Sequence, residues 1–273
     1  MAHDDLPLHR PTPPVPPPSG RSASPTRWVV VGAGAVIAGA LLTLWWMSRA
    51  QPDTATPAPI TATDVTVGSK RPKRQSIDLP SLDESDSVLR DFVSALSKHP
   101  TLARFLATRG LVRATTLAVS QIGEGRTPAV PLSALRPSTR LQILGTSSGE
   151  IDPKSYARWD AATGALTSVS AEDAAQLYVN VKPLFDQAYR ELGHPDGDFD
   201  DAIVSAIGRL AETPEPDASP ILLKRPAYYE HDDQTLRALP PVQKQFLLIG
   251  PDNRRRVMTW LRQFASDLDL KIG

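Results

Sequence analysis

SAEDAAQLYVNVKPLFDQAYRELG, residues 170–193, decides the fold. Ser170 followed by Glu172 and Asp173 has the form of a helix N-cap with acids beside the positive end of the helix. Behind it Ala174, Leu177, Tyr178, Val181, Leu184, Phe185, Ala188, Tyr189 and Leu192 recur at helical spacing, so the longest helix of the chain has one apolar face. Gly193 stops it. Pro183 lies inside and predicts a kink or a split into two helices, because proline has no N–H to donate and crowds the preceding turn.

Working outward, the same periodicity recurs. After a loop from His194 to Asp198, a helix carries Phe199, Ile203, Ile207 and Leu210 and ends at Thr213-Pro214-Glu215-Pro216. On the amino side, Ser81-x-x-Glu84 has the form of a capping box and opens a helix with Val88, Leu89, Phe92, Val93 and Leu96. Lys98-His99-Pro100 breaks it. A second helix carries Leu102, Phe105 and Leu106, and a third follows Gly110 with Leu111, Val112, Thr115, Val119 and Ile122. Pro128, Pro131 and Pro137 exclude a helix interior. Residues 141–144 and 221–223 are short strand candidates that would pair with each other. Asp152-Pro153 opens a helix through Tyr156, Trp159 and Ala162. The segment from Tyr228 to Leu239 predicts a turn and a short helix, Pro241 to Ile249 a helix, and Gly250-Pro251 a stop followed by a start. The last helix places Val257, Trp260, Leu261, Phe264 and Leu268 on one face. The expected domain, residues 77–273, is mainly α, a multi-helix globular unit with at most a small two- or three-stranded sheet.

The other organising stretch is Trp28 to Met47, 20 residues without a charge. At ~1.5 Å rise per residue it makes a helix of about 30 Å, the thickness of a bilayer's hydrocarbon core. It reads as a single transmembrane helix contacting the lipid bilayer, with Trp28, Trp45 and Trp46 as interfacial aromatics and Arg27 and Arg49 at its ends. Arg10, Arg21 and Arg27 outweigh Arg49 in flanking charge, which places the N-terminus in the cytoplasm and the domain outside. The basic cluster Lys70, Arg71, Lys73 and Arg74 lies beyond the usual counting range and weakens that asymmetry. Ser48-Arg49-Ala50 has a loosely small-x-small form, but the apolar stretch exceeds a signal peptide's usual 7–15 residues, so the reading is an uncleaved signal-anchor. Gly34/Ala38 and Ala35/Gly39 are small pairs four apart, through which two such helices form a homodimer in the alternative to a monomeric anchor. Residues 1–27 are a disordered, Pro-rich tail. Residues 48–76 are a disordered linker rich in Thr, Ala and Pro, and the basic cluster within it is read as solvated linker, with anionic lipid as the alternative contact.

Composition narrows the function classes. The whole chain has 30 basic and 30 acidic residues; 8 basic and 4 acidic lie up to Arg74, leaving 22 and 26 in the remainder. A mildly acidic domain argues against nucleic acid as a partner, since phosphate binding needs a basic face. The absence of cysteine removes disulfides and thiolate chemistry.

A resemblance enters at Tyr178 to Asp200. The string YVNVKPLFDQAYRELGHPDGDFD resembles a bacterial membrane-anchored family known as domain of unknown function 3014, through KPL-x-D-x-A-Y-x-E-L-G-x-P-x-G-D-F. Leu223-x-Arg225-Pro226-x-Tyr228, Leu239-x-x-x-Gln243-Lys244 and Ile249-Gly250-Pro251-x-Asn253-x-x-Arg256-Val257 are similar to it as well, as is the start at Leu79-Pro80-Ser81-Leu82-Asp83. The resemblance runs from Leu79 to Leu268. It implies an address in the Gram-negative envelope, and carries over neither catalytic residues nor a cofactor.

Three clusters are candidate sites. Asp196, Asp198 and Asp200 alternate as in a calcium loop, but the sixth and twelfth positions of an EF-hand are here Asp201 and Ile207 instead of Gly and Glu. The competing reading is a turn with Asp198 as a helix cap. Glu230-His231-Asp232-Asp233 is a metal or acid–base candidate in a segment that otherwise reads as a solvated loop. Arg254-Arg255-Arg256 is a phosphate or acidic-partner candidate on what reads as an exposed face, with Arg256 packing across the apolar stripe. There is no G-x-S-x-G and no P-loop, and Gly32-x-Gly34 lacks a third glycine. The expectation is a non-enzymatic protein of the bacterial inner membrane, single-pass, whose periplasmic domain binds an envelope protein or a cell-wall polymer and uses no cofactor. The alternatives are a peptidoglycan hydrolase or lytic enzyme using an acidic residue, and a cation- or ligand-sensing domain at Asp196–Asp200.

Overall fold

The computed structural model describes residues 71–272. The Pro-rich tail, the segment 28–47 with Arg27, Trp28, Trp45, Trp46 and Arg49, and linker residues 48–70 lie outside the described residues. Among those described, no helix is long and apolar enough to cross a membrane. They form a mainly helical domain with a three-stranded antiparallel sheet.

The first three helices form one corner. They are α1 (Ser85–Leu96), α2 (Pro100–Leu106) and α3 (Leu111–Gly123). Ser81 does not cap the backbone as a capping box would. Its hydroxyl bonds the Glu84 carboxylate at 3.1 Å, and a short 3-10 turn, Leu82–Glu84, precedes α1. Asp86 and Arg90, one turn apart on α1, close the α2–α3 junction. Asp86 accepts from the Gly110 and Leu111 N–H groups, both at 2.7 Å, and Arg90 donates to the Leu106 and Thr108 carbonyls. These contacts satisfy groups that every helix end leaves unpaired.

The proline-rich stretch that follows is irregular apart from a 3-10 turn at Ser133–Leu135. Then come β1 (Ser148–Glu150), α4 (Pro153–Ala157) and α5 (Asp160–Thr167). Asp152 caps α4 through the Lys154 N–H at 2.9 Å. The single helix expected from 153 is therefore two, and Gly164 lies inside the second rather than ending it.

Helix α6 (Ala171–Glu191) is continuous through Pro183. Only the bond that the Val179 carbonyl would have accepted from residue 183 is forgone. Ser170 caps α6 through the Asp173 N–H at 3.0 Å. After Gly193, with φ +101°, the chain turns into α7 (Phe199–Ala211), which Asp198 caps through the Asp200 N–H at 2.8 Å. The remaining elements are β2 (Ile221–Lys224), β3 (Tyr229–His231), α8 (Gln234–Ala238), α9 (Pro241–Leu247) and α10 (Pro251–Asp267).

The core lies where α6, α3, α7 and α10 meet, around Leu111, Val181, Phe199 and Leu268. Helices α3 and α7 approach closely. A Cβ on Gly123 would lie 2.8 Å from the Ser205 hydroxyl. Phe185 stacks on Phe199 with centroids 5.2 Å apart, and Tyr178 leans against Phe185, Phe199 and Phe264. Burying one such ring stabilises by about 1.5–3 kcal/mol, so the aromatic contacts fix how α6 meets α7.

The sheet differs from the expected pairing. β2 does not meet residues 141–144. It pairs with β1 on one side (Glu150 opposite Ile221) and β3 on the other (Leu222 opposite His231). Ile143 instead bridges Ile151 at the far side of β1. The 145–149 glycine cluster is the reason. A Cβ on Gly149 would sit 2.0 Å from the Leu144 carbonyl oxygen, so the chain folds back tightly enough to make residues 148–150 a strand. A second, smaller apolar cluster of Leu141, Ile151 and Leu222 lies with the sheet.

Candidate functional site

The amphipathic reading of α6 leaves Asn180 on a polar face. In the structure Tyr178, Val179, Asn180 and Val181 are all buried, so the middle of α6 is covered on every side. On one side stands the core. On the other lies the segment 71–75, read above as linker. The Gln75 N–H donates to Asn180 Oδ1 at 2.9 Å, Gln176 Nε2 donates to the Lys73 carbonyl at 3.3 Å, and Arg71 Nη1 meets Asp200 Oδ2 at 2.7 Å. Arg71, Lys73 and Gln75 are therefore held against the helical domain.

Asp200 is shared. Its other oxygen accepts from the Tyr178 hydroxyl at 2.6 Å. Burial and then this hydrogen bond push the Tyr178 phenol well above its ordinary pKa, so it stays a donor. The Arg71 guanidinium is held above its usual range mainly by Asp200. One turn along, Lys182 Nζ bonds both oxygens of Asp186, at 2.7 and 2.9 Å, and Asp198 Oδ1 at 2.6 Å. Burial lowers the Lys182 pKa, but the two carboxylates outweigh it and the net shift is upward. Burial likewise raises Asp198, and Lys182 and the Asp200 N–H outweigh that, so its net shift is downward. Asp186 also accepts from the Phe199 N–H at 3.2 Å, tying α6 to the first residue of α7.

The three aspartates of the calcium-like pattern thus part company. Asp198 caps α7 and faces Lys182, Asp200 faces Arg71 and Tyr178, and Asp196 is exposed on the turn. Among the described residues no group of three or more His, Asp or Glu side chains is placed to hold a metal ion. The turn itself is packed. His194 stacks on Tyr189 at 4.2 Å, and a Cβ on Gly197 would lie 2.7 Å from the Tyr189 ring.

The other two clusters are also separated by the fold. Glu230 lies on β3 and pairs with Arg225 at 2.6 Å and Arg237 at 3.6 Å. His231 does not belong to a solvated loop. It is 4% exposed, on the strand position opposite Leu222, and its Nδ1 has no partner. Burial, then the nearby Lys244, pushes its pKa down, while Asp233 pulls the other way. Asp233 caps α8 through the Leu236 N–H. Of the three arginines, Arg254 is the buried one, which overturns the exposed-face reading at that position. It reaches the Pro214 carbonyl at 3.3 Å and Glu215 at 3.4 Å. Arg255 pairs with Asp252, and Arg256 reaches Thr167 across to α5.

The residues missed by sequence reasoning are Gln176, Asn180, Lys182 and Asp186. Two signals mark the last three: an amide between valines in Val179-Asn180-Val181, and a Lys/Asp pair at i,i+4. The KPL-x-D…G-D-F segment now has a physical meaning. Lys182, Asp186 and Asp198 form the ion-paired corner, Gly197 yields to Tyr189, and Phe199 enters the core.

The family described as "Protein of unknown function (DUF3014)" matches residues 111–265. The chain belongs to this family. No curated protein and no solved structure matches it. The match to DUF3014 spans α3 through most of α10, and so contains α6, α7 and the sheet but not Arg71.

Proposed function

We propose that the chain is a single-pass envelope protein of the bacterial inner membrane, anchored through residues 28–47 with its N-terminus cytoplasmic, whose periplasmic helical domain binds an envelope protein or cell-wall partner. The uncharged 20-residue stretch supports the anchor. The outer face of the sheet carries the binding half of the reading. The register aligns Leu144, Glu150 and Ile221 in one cross-strand row, and Leu144 and Ile221 are 57% and 47% exposed. Tyr228, in the β2–β3 turn, is 61% exposed. Exposed apolar side chains on either side of Glu150 suit contact with another surface better than contact with water.

A photo-crosslinking residue at Ile221 of the full chain, in cells, tests this. It should give discrete adducts absent when the same group replaces exposed Arg262. Equal labelling at both positions would overturn the reading. Alkaline phosphatase fused after Gly273 should be active, and an inactive enzyme would place the domain on the other side.

A further inference from the structure

The face of α6 under segment 71–75 has the chemistry of a peptide groove. Gln176 and Asn180 lie one turn apart, and each holds main chain rather than a side chain: the Lys73 carbonyl and the Gln75 N–H. Side chains at i and i+4 stand about 6 Å apart on a helix, and two residues of extended chain rise about 6.6 Å. The two amides are therefore spaced to read a strand's backbone, whatever its side chains. Two residues further back along the same segment, Asp200 receives the one side chain that is read, the Arg71 guanidinium, with Tyr178 holding the carboxylate's other oxygen. Every second residue, 71, 73 and 75, is engaged.

The described contacts that fix the occupant at 71, 73 and 75 are polar. Residues 73–76 are exposed, and Leu79 is the first residue of the segment packed against the core. A strip so held can leave without opening the domain, and leaving uncovers Asn180, otherwise 6% exposed, whose amide then lacks a partner. We propose that α6 and Asp200 form a recognition groove for an extended basic peptide, that residues 71–75 fill it in cis, and that a basic segment of a partner protein displaces them in trans. This rests on the reading of the domain as a binding module, which the Ile221 crosslink tests separately at another surface.

The test uses the full chain in detergent with a protease site inserted between Ser76 and Ile77. After cleavage, a fluorescent peptide with the sequence of residues 69–76, SKRPKRQS, is titrated by anisotropy. The nicked chain should bind it at least ~10-fold more tightly than the intact chain, since the cis competitor is no longer tethered. Arg71→Ala in the peptide, or Asp200→Asn in the chain, should each weaken binding ~10-fold or more, as loss of a charge-assisted hydrogen bond does. Equal binding to nicked and intact chains, no binding to either, or indifference to Arg71→Ala overturns the proposal. Should the nicked chain unfold, the intact chain answers instead. Excess peptide should speed amide exchange at residues 73–75 and leave α3 unchanged, and unaltered exchange overturns the groove.

Discussion

At the α6–α7 corner Asp198 and Asp200 each meet a cation from another element, while Asp186 shares Lys182 from its own helix; on the β3–α8 segment Glu230 is paired only by arginines close by in the chain. Both segments read alike as sequence, a run of acids with turn residues nearby. Their physics differs in range. Lys182 and Arg71 bring α6 and the entering segment onto the start of α7, so the corner's charges hold tertiary structure. Arg225 and Arg237 reach Glu230 locally, and the titratable group of most consequence there is the buried imidazole of His231. Acid-rich runs should therefore be judged by where their cations come from.

The largest separation should come from Asp186→Ala in the corner. It removes two bonds to a half-buried ammonium and the acceptor of the Phe199 N–H. The expected cost is about 2–3 kcal/mol in urea unfolding, because Lys182 then keeps only Asp198. Asp186→Asn, which retains an acceptor for Phe199, should lose less. A loss under ~0.5 kcal/mol for the alanine variant would mean the corner does not clamp α6 to α7.

The two regions should also separate along the pH axis. His231 is buried and its folded pKa lies below the ordinary value. Between about pH 6.5, the unfolded value, and that lower folded value, the unfolded chain binds the extra proton, so stability falls as the pH falls. The slope is at most ~1.4 kcal/mol per pH unit. Asp198 is shifted down, so its contribution is present above about pH 3.9 and is lost only as the pH drops through its folded value. Chemical unfolding from pH 7 to pH 3 should thus show an early loss that His231→Leu abolishes and a late loss that Asp198→Asn reduces, since Glu191, Glu230 and Asp233 are shifted down as well. A single late loss in both variants would remove His231 from the account.

A smaller effect should come from Asn180→Ala. The Gln75 N–H lies on an exposed residue and can turn to water, so the cost should be ~0.5–1 kcal/mol. Amide exchange at residue 75 should quicken while the Asp186–Phe199 bond stays protected. Faster exchange at Phe199 as well would show that strip and corner open together.

What the sequence reveals follows the same division by range. The helices are legible because their signals are local: Ser170, Asp152 and Asp198 are caps by residue type, and each caps the helix it precedes. Pro183 does not split the helix, because the cover on α6 keeps it continuous against one missing bond. The sheet is legible as existing but not in its pairing. Strands of three and four residues carry almost no periodicity, and a steric demand at Gly149 sets the register. The segment 71–75 is illegible by composition, since Lys and Arg between prolines also describe a solvated linker. Only its distant partners, Asn180 and Asp200, mark it as part of the domain. His231 hides likewise, because burial of a strand residue flanked by acids depends on Leu222 opposite it.

The smallest effect should come from Glu230→Gln. Its carboxylate holds Arg225, and Arg237 only at 3.6 Å, all on partly exposed side chains where ion pairs contribute little. Arg237 also keeps its bonds to the His231 and Asp232 carbonyls at 3.0 and 2.8 Å, so losing the charge strands no donor. The melting temperature should move by no more than ~2 °C, and salt should change it little. The same neutralisation at Asp200 leaves Arg71 and Tyr178 facing an amide and should give a larger, salt-sensitive drop. If Glu230→Gln lowered the melting temperature as much as Asp200→Asn, local pairing would hold structure as firmly as long-range pairing, and range would no longer distinguish the two regions.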